Sequence, residues 1–595
     1  MSTLDVREQR VAMTDALMPP SGYRLGAAVG TTYSLDFEAL TAVLLAFSGA
    51  DCDDEPARIG STVTGLARMR NRLRVLVDAA GIHGSKPHKL YALFDRVIRP
   101  VSIAGHAFHP KVWALRFDPM HRPQRIASPP LFRVMVTSRN LTGSHCWELA
   151  TVVNGKAGAA TSTFGSELSA FLRRVAGAKD LPNECWKLVD ELKLAEFDAA
   201  REWSEGLRFL WQHPGSRQLA PSLPSKARRA LVISPFVRHE FLSEIVPRCE
   251  NLTLVSTQDE LDALPDSAHS LLGKVKTLVV TDLGGGDLSG LDLHAKLVAW
   301  EGDGGSEMLL GSANATAPGW GLANRANGEA MVSMRPGPSI GEVGRAFISP
   351  ARGEYHPWIE EYRRRAPEKD EAEEARRRLD RLKRTLSQDL LVVSYDRLTR
   401  VLLARADSTS ATPVIPDGAV VELRPLLGAD SNQWIEYAAL RREGARFPST
   451  DWDNVSAFLL VRLYESAVPE VETTFCFQAK LEMDEAALDE RDKQVNARLL
   501  DGLDPRTLLL NVLDGLPAGS GVDRPEDAGG SATSSGRFLK RATIERVIEA
   551  CTADPGRIDE IDAVLKASEG TDAFLDFVGF WSEFRAALSE VKRHG

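Results

Sequence analysis

The stretch HPKVWALRF at residues 109–117 has a near-copy far downstream, HAKLVAW at 294–300. The residues beyond each copy are also shared. After the first come RVMVTSRN, Trp147 and Glu148; after the second come MLLGSAN, Trp320 and Glu329. Both series read as His-x-Lys, an apolar strand, a second strand ending in Ser-x-Asn, a turn with a Trp, and a Glu that opens another strand. A chain that repeats this order over roughly 150 residues folds one α/β unit twice. It is not a solenoid, whose periods are about 20–50 residues.

The surrounding pattern supports two lobes. YRLGAAVGTTYSL reads as a strand, DFEALTAVLLAF as a buried helix, LRVLVDAAGI as a strand, and STFGSELSAFLRRVAG as a closing helix. The series restarts with ALVISPF, NLTLVST and KTLVVTDL. We therefore expect a tail over 1–20, a first lobe over 21–210, a Pro-rich linker over 211–228 and a second lobe over 229–360. A charged, solvated connector helix is expected over 361–389, from EEYRRRAPEKDEAEEARRRLDRLKRTLSQ. LLVVSYD, AVVELRPLL, AFLLVRLYE and TTFCFQAKLEM predict a β-rich accessory domain with a helical end over 390–515. A disordered linker over 516–537 and a helical unit over 538–595 complete the expected organisation.

Composition narrows the function classes. The net charge of −10 argues against a generic nucleic-acid coat protein but leaves room for a local basic groove. No apolar run is long enough to span a bilayer, and the N-terminus has no apolar signal core, so a cytoplasmic protein with no membrane partner is expected. The six cysteines are scattered without a Cys-x-x-Cys pair, so neither a zinc ribbon nor a disulfide frame is indicated.

The duplicated residues suit phosphate chemistry. Period-two alternation would put His109 and Lys111 on one strand face, and likewise His294 and Lys296. Each Lys can neutralise a non-bridging oxygen, and the amides of Asn140 and Asn314 can hold the others. Ser138 and Ser312 are expected to shape these turns and, with Trp320, to contact substrate. Two facing half-sites would surround one phosphate with prepositioned donors. One His would be nucleophile and the other general acid. Glu148 and Glu329 would each hydrogen-bond the far ring nitrogen of a His and raise its basicity. No cofactor and no metal enter this scheme.

These residues resemble the phospholipase D superfamily, whose His-x-Lys repeats define its catalytic lobes; the resemblance covers about residues 23–350. The common pattern adds an Asp five residues after the Lys, where this chain has Arg116 and Glu301. That departure, and GSANATAPGWG with its Trp-Gly, resemble the tyrosyl-DNA phosphodiesterase branch. The resemblance implies a covalent phosphohistidine on His109 and protonation of the leaving group by His294. It implies a metal-independent nuclease acting on DNA or RNA, with DNA favoured over RNA. By analogy it points to the effector of an antiphage defence or restriction system, with a protein partner such as a helicase on the C-terminal region. A phospholipase or phosphatidyltransferase, and a non-catalytic nucleic-acid-binding module, are the alternative readings.

Overall fold

The computed structural model describes residues 12–48, 62–63, 65–84, 86–120, 128–143, 146–198, 205–281, 292–303, 305–335, 358–366, 371–428 and 433–500, with isolated positions between 558 and 587. The expected linker over 516–537 and most of the unit over 538–595 lie outside the described residues.

Two large sheets carry the duplicated sequence. The first contains β1 (Tyr23–Thr32), β2 (Leu73–Asp78), β3 (Ile98–Val101), β4 (Val112–Pro119), β5 (Leu131–Thr137), β6 (Ala150–Ala157) and β7 (Ala195–Asp198), in the order β7-β6-β5-β4-β1-β2-β3. The second contains β8 (Glu205–Gln212), β9 (Ala227–Ile233), β10 (Cys249–Ser256), β11 (Lys276–Val280), β12 (Leu297–Gly302), β13 (Gly305–Gly311), β14 (Glu329–Arg335) and β15 (Ile359–Glu361), in the order β8-β14-β13-β12-β9-β10-β11-β15. In each sheet the central strand, β1 or β9, runs parallel to β2 or β10 and antiparallel to β4 or β12. The latter strand then leads an antiparallel meander, β4-β5-β6 or β12-β13-β14. The parallel pairs demand crossovers, which the helices Phe37–Ser48 and His239–Ile245 supply. The two lobes are thus the same fold built twice.

Burial explains the pairing of the lobes. β1 has eight consecutive buried residues, as expected of a strand covered on both faces. Ala27, Val29, Val112, Ala114 and Val134 of the first sheet share one core with Leu231, Ile233, Leu297, Ala299 and Val332 of the second. The sheets therefore meet through their inner faces.

Two expectations are corrected. Strand β8 pairs with β14, so residue 210 lies inside the second sheet, and the linker expected over 211–228 overlaps β8 and β9. LWQ at 210–212 pairs in the ladder because its apolar residues complete an edge, despite the Pro-rich segment beyond it. The connector is the helix Glu371–Leu386, and only one face of it is solvated. Ala375, Leu379, Leu382 and Leu386 recur at helical spacing and are buried in the accessory core.

The accessory domain shares a core with the first lobe. The accessory domain has two four-stranded sheets, one built on Leu391–Asp396 and Val401–Ala406, the other on Ala419–Pro425, Phe458–Glu465 and Val468–Gln478. It is not simply appended. Phe458, Leu460 and Cys476 share a core with Phe37, Leu40, Tyr91 and Phe94 of the first lobe, and the Phe37 and Phe458 rings lie 5.1 Å apart. Beside this core the fully buried Arg491, on the helix Glu485–Leu500, reaches Asp95 of the first lobe at 2.6 and 3.0 Å and Asp492 at 2.6 Å. Removing one partner of such a buried pair leaves the others uncompensated. Arg491→Ala is therefore expected to lower the unfolding free energy by about 3–5 kcal/mol. Denaturant titration checks this; a loss below about 1 kcal/mol would place the interface outside the cooperative unit.

Candidate active site

His109 and Lys111 lie immediately ahead of β4, and His294 and Lys296 immediately ahead of β12, rather than within the strands. The period-two alternation of a strand does not apply there: the histidine N–H groups take partners from the opposite lobe, while the Lys111 and Lys296 carbonyls accept from Thr137 and Gly311 of their own. The His109 N–H donates to the Gly328 carbonyl at 2.9 Å, and Phe108 bridges Gly328 in parallel. In mirror fashion the His294 N–H donates to the Trp147 carbonyl at 2.9 Å, where Asp292–Leu293 pairs in parallel with Cys146–Trp147. Each histidine is thus tethered to the residue that precedes the other lobe's glutamate.

The side chains follow the same crossing. His109 Nδ1 lies 2.9 Å from Glu329 Oε2. His294 Nδ1 lies 3.6 Å from Glu148 Oε1, an ion-pair rather than a hydrogen-bond separation. The two carboxylates are held differently. Glu329 accepts from Ser312 Oγ and, at 3.3 Å, from Asn327 Nδ2, both neutral donors. Glu148 accepts from the Arg139 guanidinium at 3.1 Å. The two halves share a plan but not an electrostatic balance.

Lys111 and Lys296 are 1% and 0% exposed. Each ammonium returns to the carbonyl of its own histidine, at 2.8 and 2.7 Å, which leaves two N–H donors apiece. Asn140 and Asn314 each carry a buried side-chain oxygen with no hydrogen-bond partner among the described residues. These oxygens are acceptors, which a phosphate cannot satisfy; a half-turn of each amide would present its N–H donors to an anion instead.

The residues expected to touch substrate are otherwise employed. Ser138 Oγ accepts from the Leu149 N–H at 3.0 Å, and its neighbours close the turn. Ser312 Oγ accepts from the Ala330 N–H at 3.0 Å and donates to Glu329. A β-carbon on Gly311 would sit 2.3 Å from the Ala330 carbonyl, so only glycine lets β13 and β14 approach closely enough for this brace. Trp320 is 0% exposed, packs on Phe241 at 5.6 Å, and is core of the second lobe, not a substrate contact. Arg116 engages Asp118, Glu184 and Glu191, and Glu301 engages Arg229. Where the family pattern has its Asp, this chain has structural ion pairs.

Sequence reading missed five neighbours. The Tyr33 ring lies 5.1 Å from the His109 ring, with the Lys111 ammonium 5.7 Å from its centroid. Arg384 Nη2 donates to Tyr33 Oη at 3.1 Å. Asp78 accepts from the Phe108 N–H at 2.7 Å and so fixes the backbone just before His109. Asn327 and Arg139 brace the two carboxylates. Asn327 and Arg139 sit within the repeated motifs and could have been suspected; Tyr33, Asp78 and Arg384 carry no local signal.

Burial and mutual repulsion set the protonation. Burial first, then Lys296 and Lys111, hold His294 down to about 2. Burial, Lys111, Lys296 and Arg384 push His109 well below the ordinary imidazole range. Burial lowers Lys296 to about 7 and, with the Lys296 charge, drives Lys111 well down. Burial raises Glu148 to about 7 and Glu329 to about 8. The cleft is thus short of protons on its bases, and its charge is held back by desolvation. An anion entering it raises every one of these groups. Sulfate, which does not titrate near neutrality, is therefore expected to bind at pH 7.5 with net proton uptake. Calorimetry in buffers of different ionisation enthalpy reads this directly; proton release would contradict the charge balance described.

No protein-family model matches the chain, and no curated protein does. Among solved structures it is similar to yeast tyrosyl-DNA phosphodiesterase, at 11% identity over 55% of this chain and 86% of that one, with a TM-score of 0.37. A histidine-to-alanine variant of the same yeast enzyme matches at 12% identity over 56% of this chain and 87% of that one, with a TM-score of 0.36.

Proposed function

We propose that the protein is a metal-independent phosphodiesterase of the phospholipase D superfamily that cleaves nucleic acid, DNA in the first instance, through a phosphohistidine. The observation that carries this reading is the crossed pair of histidines, each backed by the other lobe's glutamate and flanked by a buried lysine. Lys111 and Lys296 would neutralise the equatorial oxygens as charge develops, and the Asn140 and Asn314 amides would complete the cradle.

The asymmetry of the carboxylates supports a division of labour. Glu329 contacts His109 directly and meets only neutral hydrogen-bond donors, so its carboxyl oxygen can accept from Nδ1–H and leave Nε2 as the nucleophile. Glu148 shares its charge with Arg139 and stands farther from His294. In this scheme His109 Nε2 attacks phosphorus, and the leaving oxygen departs with a proton from His294, which the bound anion has recharged. Water then attacks the phosphohistidine. His294 takes its proton, and His109 is released with the original bond count restored. We propose further that the cytoplasm of a bacterium is its setting and defence against foreign DNA its use, with the accessory region receiving a protein partner.

The test uses wild type and two variants on a nucleoside p-nitrophenyl phosphodiester and on an unactivated oligonucleotide, with and without EDTA. His109→Ala should abolish turnover of both. His294→Ala should slow the oligonucleotide about 10²–10⁴-fold, the usual worth of a general acid, while sparing first-step release of p-nitrophenolate. Mass spectrometry should then find an acid-labile, alkali-stable phosphoryl adduct on the His109 peptide. Wild-type activity should survive EDTA. An adduct on His294 would reverse the roles, and loss of all activity in EDTA with recovery in Mg²⁺ would overturn the mechanism.

A further inference from the structure

The helix Glu371–Leu386 belongs by its buried face to the accessory domain, yet its exposed face is turned to the catalytic lobes. Arg377 and Arg384 are seven residues, two turns, apart and so lie on the same side of the helix. Arg384 hydrogen-bonds Tyr33 Oη at 3.1 Å, on the loop after β1. Arg377 is within electrostatic reach of Glu260, which accepts from the Val237 N–H at 2.7 Å on the loop after β9. These two loops are pseudo-symmetric partners. Thr32 Oγ1 bonds the Ser34 carbonyl and accepts from the Leu141 N–H, just as Ser234 Oγ bonds the Phe236 carbonyl and accepts from the Ala315 N–H. Leu141 and Ala315 directly follow Asn140 and Asn314. The helix therefore lies across the cleft, from one lobe's asparagine loop to the other's.

The chemistry of Arg384 suits a second phosphate rather than the reacting one. The centre of the cleft already holds two buried lysines, whereas Arg384 is exposed and set against the Tyr33 ring, its guanidinium carbon 5.8 Å from a centroid that lies 5.1 Å from the His109 ring. Among the described residues its guanidinium donates to one neutral hydroxyl, so most of its five N–H donors remain for a ligand. A guanidinium in this setting recognises phosphate in fork geometry. Around it the nearby carboxylates are Asp380 and Asp78, both acting on Tyr33, and the nearby cations are Lys383 and Lys111.

We propose that Arg384, delivered by the accessory domain, binds a phosphate that flanks the scissile one, so that the helix Glu371–Leu386 makes the cleft selective for a polynucleotide strand over an isolated phosphodiester. This rests on the phosphodiesterase reading for the word scissile, but its own test is binding. Arg384→Ala and Arg384→Lys are made in the full chain, and a fluorescein-labelled single-stranded oligonucleotide is titrated by anisotropy at several salt concentrations. Wild-type and variant turnover of the oligonucleotide and of the nucleoside p-nitrophenyl diester is measured alongside. Arg384→Ala should weaken oligonucleotide binding about tenfold and flatten the salt dependence by about one contact, a slope change of about 0.7 for a single strand. Arg384→Lys should recover part of the affinity, since it keeps the charge and loses the fork. The rise in KM for the oligonucleotide should exceed that for the diester. Equal binding by wild type and Arg384→Ala overturns the proposal even if both turn substrate over, which would leave the phosphodiesterase reading standing. Weakened binding without turnover of either substrate by wild type supports the strand contact and sinks the enzyme reading. Failure of wild type to bind the oligonucleotide overturns both.

Discussion

The site depends on one reciprocal backbone crossing. His109 donates its N–H to Gly328, and His294 donates its N–H to Trp147, so each histidine is pinned beside the strand or turn that carries the other lobe's glutamate. Without that exchange the lobes would not present a histidine from one half to a carboxylate from the other. The shared core of Val29, Ala114, Ile233 and Ala299 supplies the apolar burial that holds the crossing in register.

Burying two lysines in that register is costly, and the structure shows how the cost is limited. Each ammonium is given one carbonyl, and Glu329 and Glu148 stand within range of both lysines. Desolvation still dominates, which depresses the lysines and histidines and raises the carboxyls. A cleft in that state is complementary to an anion and poorly satisfied without one, the usual trade between stability and function.

Much of this was legible in the chain. The duplication of His-x-Lys, Ser-x-Asn and Glu announced two lobes and named the histidines, lysines and glutamates that the structure brings together, because a repeated motif survives without any knowledge of contacts. Strands such as Tyr23–Thr32 and Phe458–Glu465 were readable from their apolar runs. What could not be read was anything set by distant packing. The exchange of glutamates between lobes joins residues 220 positions apart, and the Tyr33–Arg384 contact joins residues 351 apart. Trp320 looked available because its motif is polar and glycine-rich, but Phe241 covers it. The run RRRLDRLKR looked solvated because its charges outnumber its leucines, yet Leu379, Leu382 and Leu386 align on one buried stripe.

The central claim is that both half-sites close on a single phosphorus, with His109 in line. Crystals of the full chain soaked in orthovanadate test this most directly, because vanadate adopts the five-coordinate geometry of the transition state. The account predicts vanadium bonded to His109 Nε2 at one apex. Its equatorial oxygens should be held by Lys111, Lys296 and the amides of Asn140 and Asn314, and His294 should face the opposite apex. Vanadate bound to only one lobe's histidine and lysine, with the other pair out of reach, would contradict it.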